Sequence, residues 1–434
     1  MVDSFQEFTR SESSGGIVLL AAAAVAIAWA NSPWSEIYFR SWETKVTIGT
    51  ATFGITESLG HWINDGLMAL FFFVVGLEIK REVLIGELAS VRQAMLPLAA
   101  AVGGMVVPAV LYATINAGGA GSAGWGIPMA TDIAFALGIL ALLGPRVPVA
   151  LKVFLAALAI VDDIGAVLVI AVFYTTHVDW LSLAIAATAV AGLITINRAR
   201  IRHPGAYAVL GLILWIAFLH SGIHATVAGV VLAMTIPART RINESEFAKE
   251  IRENLEQFES SCGTGENLLS NSRQQDAIEN MENACEGAQS PLMKLEHSLH
   301  GFVAFFVMPL FALANAGIAI GLENDLIGSA SITVGVALGL LLGKPLGIML
   351  AAWIVVRTGV AVLPAGTSWR MIHGTAWLGG IGFTMALFIA GLAFPRGQLL
   401  EDAKLGIIGA SLLGGAVGWL LLRRATAQQG SHLS

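Results

Sequence analysis

Residues 159–170 read AIVDDIGAVLVI, and two carboxylates, Asp162 and Asp163, interrupt an otherwise almost wholly apolar run. An Asp or Lys placed mid-helix in a bilayer costs about 2.5–3.5 kcal/mol on insertion scales. Buried groups of this kind face a cavity, pair with one another or line an ion path. Neighbouring residues on a helix point about 100° apart, which follows from 3.6 residues per turn. Asp162 and Asp163 therefore have different tasks: one can pair with a lysine on another span while the other lines a water-filled funnel. Lys344, in GLLLGKPLGI, is the lysine embedded in an apolar run. Asp132 lies in WGIPMATDIAFALG, just after Gly126 and Pro128. The set Asp132, Asp162, Asp163 and Lys344 exceeds what one static ion pair needs. Carboxylates taken out of water and set near one another hold protons near neutral pH. They also suit small hard cations, which take oxygen ligands. A site where proton and cation compete, open first to one side and then to the other, performs antiport.

The elements that hold these groups are apolar. Of the 434 residues 56% are hydrophobic and 12% charged, against roughly 45–50% and 25% in an average soluble domain. Mean hydropathy is +0.74. Runs near 12–31, 59–84, 94–116, 122–143, 149–175, 180–199, 204–219, 222–237, 294–317, 329–356, 370–394 and 402–422 approach the roughly 20 residues a spanning helix needs, so the expectation is an all-α polytopic membrane protein with about twelve transmembrane helices. The 48 glycines suit close helix contacts in lipid. Lys80, Arg81, Arg92, Arg146, Lys152, Arg198, Arg200, Arg202, Arg239, Arg241, Arg357, Arg370, Arg423 and Arg424 fall in loops on one side, which the positive-inside rule makes cytoplasmic. Both termini are then cytoplasmic; Arg40 and Lys45 lie outside, and Arg396 is a lone outside exception. The run from Gly15 to Ala30 lacks a convincing signal-cleavage site and reads as a retained first span.

Two of the spans are interrupted. Gly126 and Pro128 break one before Thr131-Asp132, and Gly379, Gly380 and Gly382 weaken another in WLGGIGFTMALF. Freed backbone at membrane depth is tolerated only inside protein or beside water. Paired interruptions in corresponding positions point to a transporter site and to inverted repeats, here spans 3–5 and 10–12. Half-helix N-termini are partly positive, so Asp132 can balance them.

Two segments are not spans. Residues 44–57, TKVTIGTATFGITE, alternate apolar and polar side chains around Gly49-Thr50 and read as a β-hairpin, whose edge can pair with a second copy. Residues 238–293 are polar and acidic, and Phe247, Ile251, Leu255 and Phe258 form one stripe of an amphipathic helix. That helix is expected on its own protein or the membrane surface, with a regulatory or partner-binding insert as the sharper alternative. The chain divides into a first membrane half at 1–237, this insert at 238–293, and a second membrane half at 294–434. Cys262 and Cys285 are too few for a disulfide framework and read as reduced thiols. No GxxxxGK[ST] phosphate loop occurs, so an ion gradient is the expected energy source, with no cofactor. No basic, aromatic-interleaved patch suggests nucleic acid. The expected surroundings are the lipid bilayer.

Several segments together resemble one family. ATDIAFALG at 130–138, AIVDDIGA at 159–166, INDGLMALFFFVVGLEIKRE at 63–82, HSGIHATVAG at 220–229, KLEHSLH at 294–300, FALANAG at 311–317, GKPLG at 343–347 and GIGFTMALFIA at 380–390 are similar to the bacterial NhaA sodium/proton antiporters. The resemblance implies twelve spans in the inner membrane and an inverted-repeat core with two broken, crossing helices; the exposed hairpin edge adds the expectation of a homodimer. It implies pH-regulated, electrogenic export of Na⁺ or Li⁺ against more protons, for sodium and pH homeostasis. By position, Asp163 looks like the main cation-binding and proton-carrying carboxylate. Asp162 looks like the partner of Lys344, and Thr131 and Asp132 like the crossing point, so that Asp163, Thr131 and Asp132 form the expected Na⁺ or Li⁺ ligands. Glu78, Arg81 and Glu82, with Glu296, His297 and His300, match a cytoplasmic funnel linked to pH activation, and His224 is placed with this pH-sensing set. Asp65 matches the exit path. The 240–290 stretch is longer and more acidic than the short loop expected before KLEHSLH.

Two rivals start from the same residues. An intramembrane aspartyl protease needs one Asp on each of two helices and usually a GxGD signature, which is absent. A passive cation channel has no use for a buried lysine.

Overall fold

A computed structural model describes residues 2–49, 54–175, 178–261, 271–319, 330–395 and 397–430. Among the described residues the regular structure is helical apart from one hairpin. It opens with α1 (Val2–Ala30) and α2 (Ser35–Glu43), which meet at 113°. Strands β1 (Lys45–Gly49) and β2 (Gly54–Ser58) pair antiparallel, Lys45 opposite Ser58 and Gly49 opposite Gly54. The hairpin thus forms where the alternation placed it; the turn at Thr50 lies outside the described residues, as do Arg396 and Cys262. Next come α3 (Leu59–His61), a π-helical turn (Trp62–Leu67) and α4 (Met68–Ile85). Helix α5 (Val91–Ile115) follows, then a 3₁₀ stretch (Ala120–Met129), α6 (Ile133–Leu142), α7 (Val149–Phe173), α8 (Trp180–Arg198), α9 (Pro204–Ser221) and α10 (Val227–Thr235).

Beyond α10, α11 (Glu244–Ser260) and α12 (Ser272–Ala288) lead to α13 (Pro291–Phe302), which a π-helical turn joins to α14 (Met308–Asn315). Helix α15 (Ala330–Leu338) runs through another π-helical turn (Gly339–Gly343) into α16 (Lys344–Arg357). The chain ends with α17 (Trp369–Gly379), α18 (Phe383–Ala393) and α19 (Gln398–Gly430).

Among the described residues, seven helices are long and apolar enough to cross a membrane, or ten if each bent pair counts as one span. The bent pairs are α1 with α2, the 3₁₀ stretch with α6 at 45°, and α17 with α18 at 42°. The breaks after Met129 and after Gly379 are where the glycines and proline put them. The two remaining expected spans fall on α4 and α10. Helix α4 carries Glu78, Lys80, Arg81 and Glu82 in its 18 residues, and α10 has only nine, about 14 Å of helix.

The closest helix pairing joins the stretches on either side of 238–293: α5 lies against α16. Gly103 and Gly347 meet there, and a Cβ on either would drive into the other's carbonyl. Such contact gives helices a close approach that larger residues forbid. A Cβ added at Gly104 would come within 3.7 Å of Cγ of Lys344. The crossing of α5 and α16 therefore fixes where the lysine stem runs.

The acidic insert holds two helices, not one. Asn243 caps α11, its Oδ1 accepting from Glu246 N at 2.8 Å, and Asn271 caps α12 through Gln274 N at 3.4 Å. The two helices pack on each other. The face of α12 that is buried carries Gln274, Ala277, Ala284 and Gly287. So the stripe expected to lie on the protein body or the membrane belongs to a helical hairpin. The base of this hairpin is pinned by Arg241 N donating to Gly287 O at 2.8 Å and by Lys294 Nζ against Glu286 Oε1 at 2.7 Å. Residues 238–293 contain 11 acidic and 5 basic residues, which equals the whole chain's formal charge of −6; the remainder balances to zero.

Candidate ion-binding site

Asp132 joins the two broken helices. Its Oδ1 accepts from Phe135 N at 3.0 Å, capping α6. Its Oδ2 accepts from Thr384 N at 3.0 Å and from Thr384 Oγ1 at 2.5 Å, at the first turn of α18. Its own N–H donates to Ile381 O at 2.7 Å. One carboxylate thus serves two half-helix N-termini, each of which exposes unpaired N–H groups and a partial positive charge. Both oxygens of Asp132 are engaged. Thr384 was not singled out from the sequence; its signal was a hydroxyl residue just past a glycine break, the position where helix-start chemistry gathers.

Lys344 Nζ lies 2.7 Å from Asp162 Oδ2, with both side chains wholly buried. The ammonium also donates to Met129 O, at the end of the 3₁₀ stretch. Thr131 Oγ1 stands 2.5 Å from the same Asp162 oxygen and 2.8 Å from Gly379 O, in the other break. A hydroxyl has one proton, so Thr131 donates to one of these at a time. Asp162, Lys344 and Thr131 thereby tie α7, α16 and both breaks into one polar unit, as the expected division of labour between the adjacent aspartates requires.

Asp162 and Asp163 each leave Oδ1 without a hydrogen-bond partner among the described residues. Their surroundings differ: Asp162 ties its Oδ2 to Lys344 and Thr131, and Asp163, 2% exposed, faces a cavity. An unpartnered buried carboxylate oxygen costs the desolvation penalty of a charged group, so its presence needs a reason. Asp163 lines a cavity of about 50 Å³ together with Asp132, Thr384, Phe71, Glu78 and His300. That volume holds more than the single probe sphere a water needs. No group of three His, Cys, Asp or Glu side chains that could hold a metal occurs among the described residues. A cation here would rely on Asp163 with hydroxyl, carbonyl or water oxygens.

The cavity reaches toward a charged cluster. Arg81 pairs with Glu296, and with Glu82 at 3.0 Å. Glu82 Oε2 also accepts from Glu87 N at 3.0 Å. His300 Nδ1 lies 3.6 Å from Glu78 Oε1. The structure therefore brings together Glu78, Arg81, Glu82, Glu296 and His300. His297, next to Glu296 in sequence, is exposed. His224 is elsewhere: its Nε2 is 3.3 Å from Asp65 Oδ1. Asp65 precedes Glu78 by 13 residues on one continuous helical stretch, about 20 Å along the axis. The histidine expected with the funnel thus joins the exit-path carboxylate. His61, unmarked in the sequence, contacts the other Asp65 oxygen at 3.0 Å; the four-residue spacing was the available signal.

Comparison with known proteins gives this arrangement a family. The model of the family described as Na+/H+ antiporter 1 matches residues 6–422. The chain belongs to that family. It is 50% identical over 419 residues to the Na(+)/H(+) antiporter NhaA of Oleidesulfovibrio alaskensis, covering 96% of this chain and 93% of the relative. It is 51% identical over 426 residues to Na(+)/H(+) antiporter NhaA 2 of Syntrophotalea carbinolica, covering 98% and 97%. With the NhaA of Acidithiobacillus ferrooxidans it shares 48% over 432 residues, 99% of each chain. Relatives aligned over so much of both chains are of similar length, so the extra length before KLEHSLH does not set this chain apart from them. Membership in this antiporter family makes the chain a multi-pass membrane transporter and not an enzyme.

Proposed function

We propose that this protein is an electrogenic antiporter of the bacterial inner membrane. It exports Na⁺, or Li⁺, in exchange for a larger number of protons and so serves sodium and pH homeostasis. Twelve spans with both termini in the cytoplasm, and a core of inverted repeats whose broken helices cross beside Asp132, form its frame. The observation that carries this reading is Asp163: a buried carboxylate outside the Lys344 pair that lines a cavity reaching the Glu78 and His300 cluster.

Asp163 binds the cation when ionised and releases it when protonated. Thr131 and neighbouring carbonyl oxygens complete the cation's shell. Asp132 holds the half-helix ends in place and supplies negative charge behind the site. Lys344 neutralises Asp162 in the absence of cargo, and a cation beside Asp163 weakens the lysine's hold on its proton. Two protons can then be exchanged for one cation, which makes transport electrogenic and lets the membrane potential drive it. Glu78, Arg81, Glu82, Glu296 and His300 form the cytoplasmic entrance, and titration within this group sets the pH at which it opens. The β1–β2 hairpin pairs with its copy in a homodimer. The long apolar helices, the buried carboxylate beside its cavity and the relatives' names support the same reading.

The test is sodium-induced proton movement in everted vesicles, read with a pH-gradient dye, for the wild type and Asp163→Asn. Exchange in the wild type and none in the inserted, folded variant is the expected result. Undiminished exchange in Asp163→Asn would move the site to another carboxylate. No exchange in the wild type between about pH 6 and 9, the span in which carboxylates perturbed by burial titrate, would overturn the reading as a whole.

A further inference from the structure

A second built cluster of titratable groups lies about 20 Å from the Glu78 cluster along the same helical stretch. Asp65 sits in the π-helical turn Trp62–Leu67, a local geometry that recurs at functional sites. Each carboxylate oxygen faces one imidazole: Oδ2 is 3.0 Å from His61 Nε2, and Oδ1 is 3.3 Å from His224 Nε2. The three side chains come from three places: the short α3, the π turn, and the link between α9 and α10. Their side-chain exposures grade from 41% for His61 to 12% for Asp65 and 14% for His224.

The carboxylate is held firmly. Trp215 Nε1 donates to Asp65 O at 3.1 Å, and the Trp62 ring stacks on Trp215 with centroids 6.1 Å apart. Trp62 Nε1 in turn donates to Val46 O on β1 at 3.0 Å. On the far side of His224, Nδ1 lies 2.8 Å from Thr226 Oγ1, and the ring meets Phe388 edge-on at 5.4 Å. Phe388 belongs to α18 and touches Phe72 at 5.5 Å. So one histidine looks toward water and the other toward apolar rings on the half-helix that begins by holding Asp132.

Among the described residues, the other charges on neighbouring elements are few. Glu57 on β2 adds its charge to His61. Glu36 and Arg40 on α2 pair with each other at 2.6 Å, and Glu43 and Lys45 are exposed. His220 at the end of α9 places Nδ1 at 2.9 Å from Ile216 O, and Asp179 caps α8 through Ser182 N. Helix α14 presents the neutral Asn315, whose Nδ2 donates to Asn64 Oδ1 at 2.8 Å.

We infer that His61, Asp65 and His224 form the outer station of the transport path, at which an outgoing cation leaves as His61 takes up an external proton. This rests on the antiport reading above. The proton balance is closed. A proton from external water arrives on Nδ1 of His61 while Nε2–H stays on Asp65 Oδ2, and it returns to that water when the next cation arrives. While both histidines are neutral, ionised Asp65 is the uncompensated negative charge that attracts a hard cation. Once His61 is an imidazolium against Oδ2, that attraction is cancelled and the cation departs to the side from which the proton came. His61 is the proton-responsive group in this scheme, and His224 is a positioning residue that fixes Asp65 from the inner side.

The test separates the two faces of the membrane. Right-side-out vesicles loaded with ²²Na⁺ report efflux as the external pH varies at fixed internal pH, and everted vesicles report the cytoplasmic pH profile. His61→Gln keeps a hydrogen-bonding side chain at a partly exposed position. Its efflux at external pH 6 is expected to fall about ten-fold, less than the hundred-fold or more a positioned acid–base group can supply, because water still reaches this end. Its curve against external pH flattens, while its cytoplasmic pH profile stays that of the wild type. His224→Gln is expected to shift the same external curve in the same direction. External curves for both variants that superimpose on the wild type would overturn the inference, and so would equal shifts at both faces. Loss of exchange in the wild type would instead overturn the antiport reading itself.

Discussion

Replacing Lys344 by Met tests how the buried ion pair is balanced. The ammonium and Asp162 are 2.7 Å apart and neither is exposed. Lys344→Met leaves Asp162 with Thr131 Oγ1 at 2.5 Å as its remaining hydrogen-bond partner. Breaking a fully buried pair in this way costs about 3–5 kcal/mol, because the survivor is an uncompensated charge. That is a large share of the roughly 5–15 kcal/mol that holds a protein folded. Removing both charges is a different matter. In Asp162→Asn combined with Lys344→Met the desolvation penalty disappears with the attraction, and neutral replacements for buried pairs are commonly near neutral. The double variant should therefore fall within about 1 kcal/mol of the wild type, about 2–4 kcal/mol more stable than Lys344→Met alone. Thermal unfolding of detergent-purified protein reads this out. At about 2 °C per kcal/mol for a large domain, the single variant's midpoint should drop by about 6–10 °C and the double variant's by about 2 °C or less. A double variant as unstable as Lys344→Met would refute the reasoning. The lysine's value would then lie in its bond to Met129 O at the broken helix, not in Asp162.

Three further outcomes follow from the same geometry. Thr384→Val removes the hydroxyl donor to Asp132 Oδ2 and keeps the backbone donor. It should cost about 1.5–3 kcal/mol, the worth of a hydrogen bond to a charged group, and Thr384→Ser should restore most of the lost unfolding midpoint. Excising residues 243–286 and joining the ends with a short Gly/Ser link should leave vesicle exchange intact, because Arg241 N and Gly287 O already lie 2.8 Å apart at the hairpin's base; loss of insertion would refute its independence. The hydrogen bond from Lys294, together with its charge, holds Glu286 below the usual carboxylate range. A depressed folded value means the tie is present above the ordinary value and lost as pH falls through the folded one. A spin label on Cys285, with Cys262 replaced by Ser, should gain mobility on acidification below the ordinary carboxylate range, and the Glu286→Gln variant should lack that step.

The site's charged members were legible because the background is so apolar. Asp132, Asp162, Asp163 and Lys344 stand out in runs that would otherwise carry no polar group. The two breaks were legible for a related reason, since Gly and Pro mark them at Gly126, Pro128 and Gly379 to Gly382. What faced what was less so. Thr384 acquires its role only when the second break is folded against the first, a pairing 252 residues apart in sequence. His224 kept company with the wrong cluster because motif position assigns a residue to a path without fixing which end it occupies. Helix α12 escaped notice because Gln274, Ala277, Ala284 and Gly287, the residues it buries, carry little hydrophobic weight. The amphipathic signal of α11 was sound, and the helix packs on its neighbour α12. Helices α4 and α10 mark the limit of hydropathy: 59–84 and 222–237 read as spans, yet the helices formed there are respectively charged at one end and nine residues long.

The shared carboxylate of Asp132 has a mechanical consequence. Sliding α6 along α18, or tilting one against the other, pulls Asp132 off Phe135 N or off Thr384 N. A rivet of that kind favours motion of the joined half-helices as one body, pivoting against α4 and its neighbours. Phe388 travels with that body, so the ring edge that touches His224 swings whenever the joint does. The amide protons of Phe135 and Thr384 should then exchange with deuterium far more slowly than the number of transport cycles completed in the same time, since the joint turns over without opening.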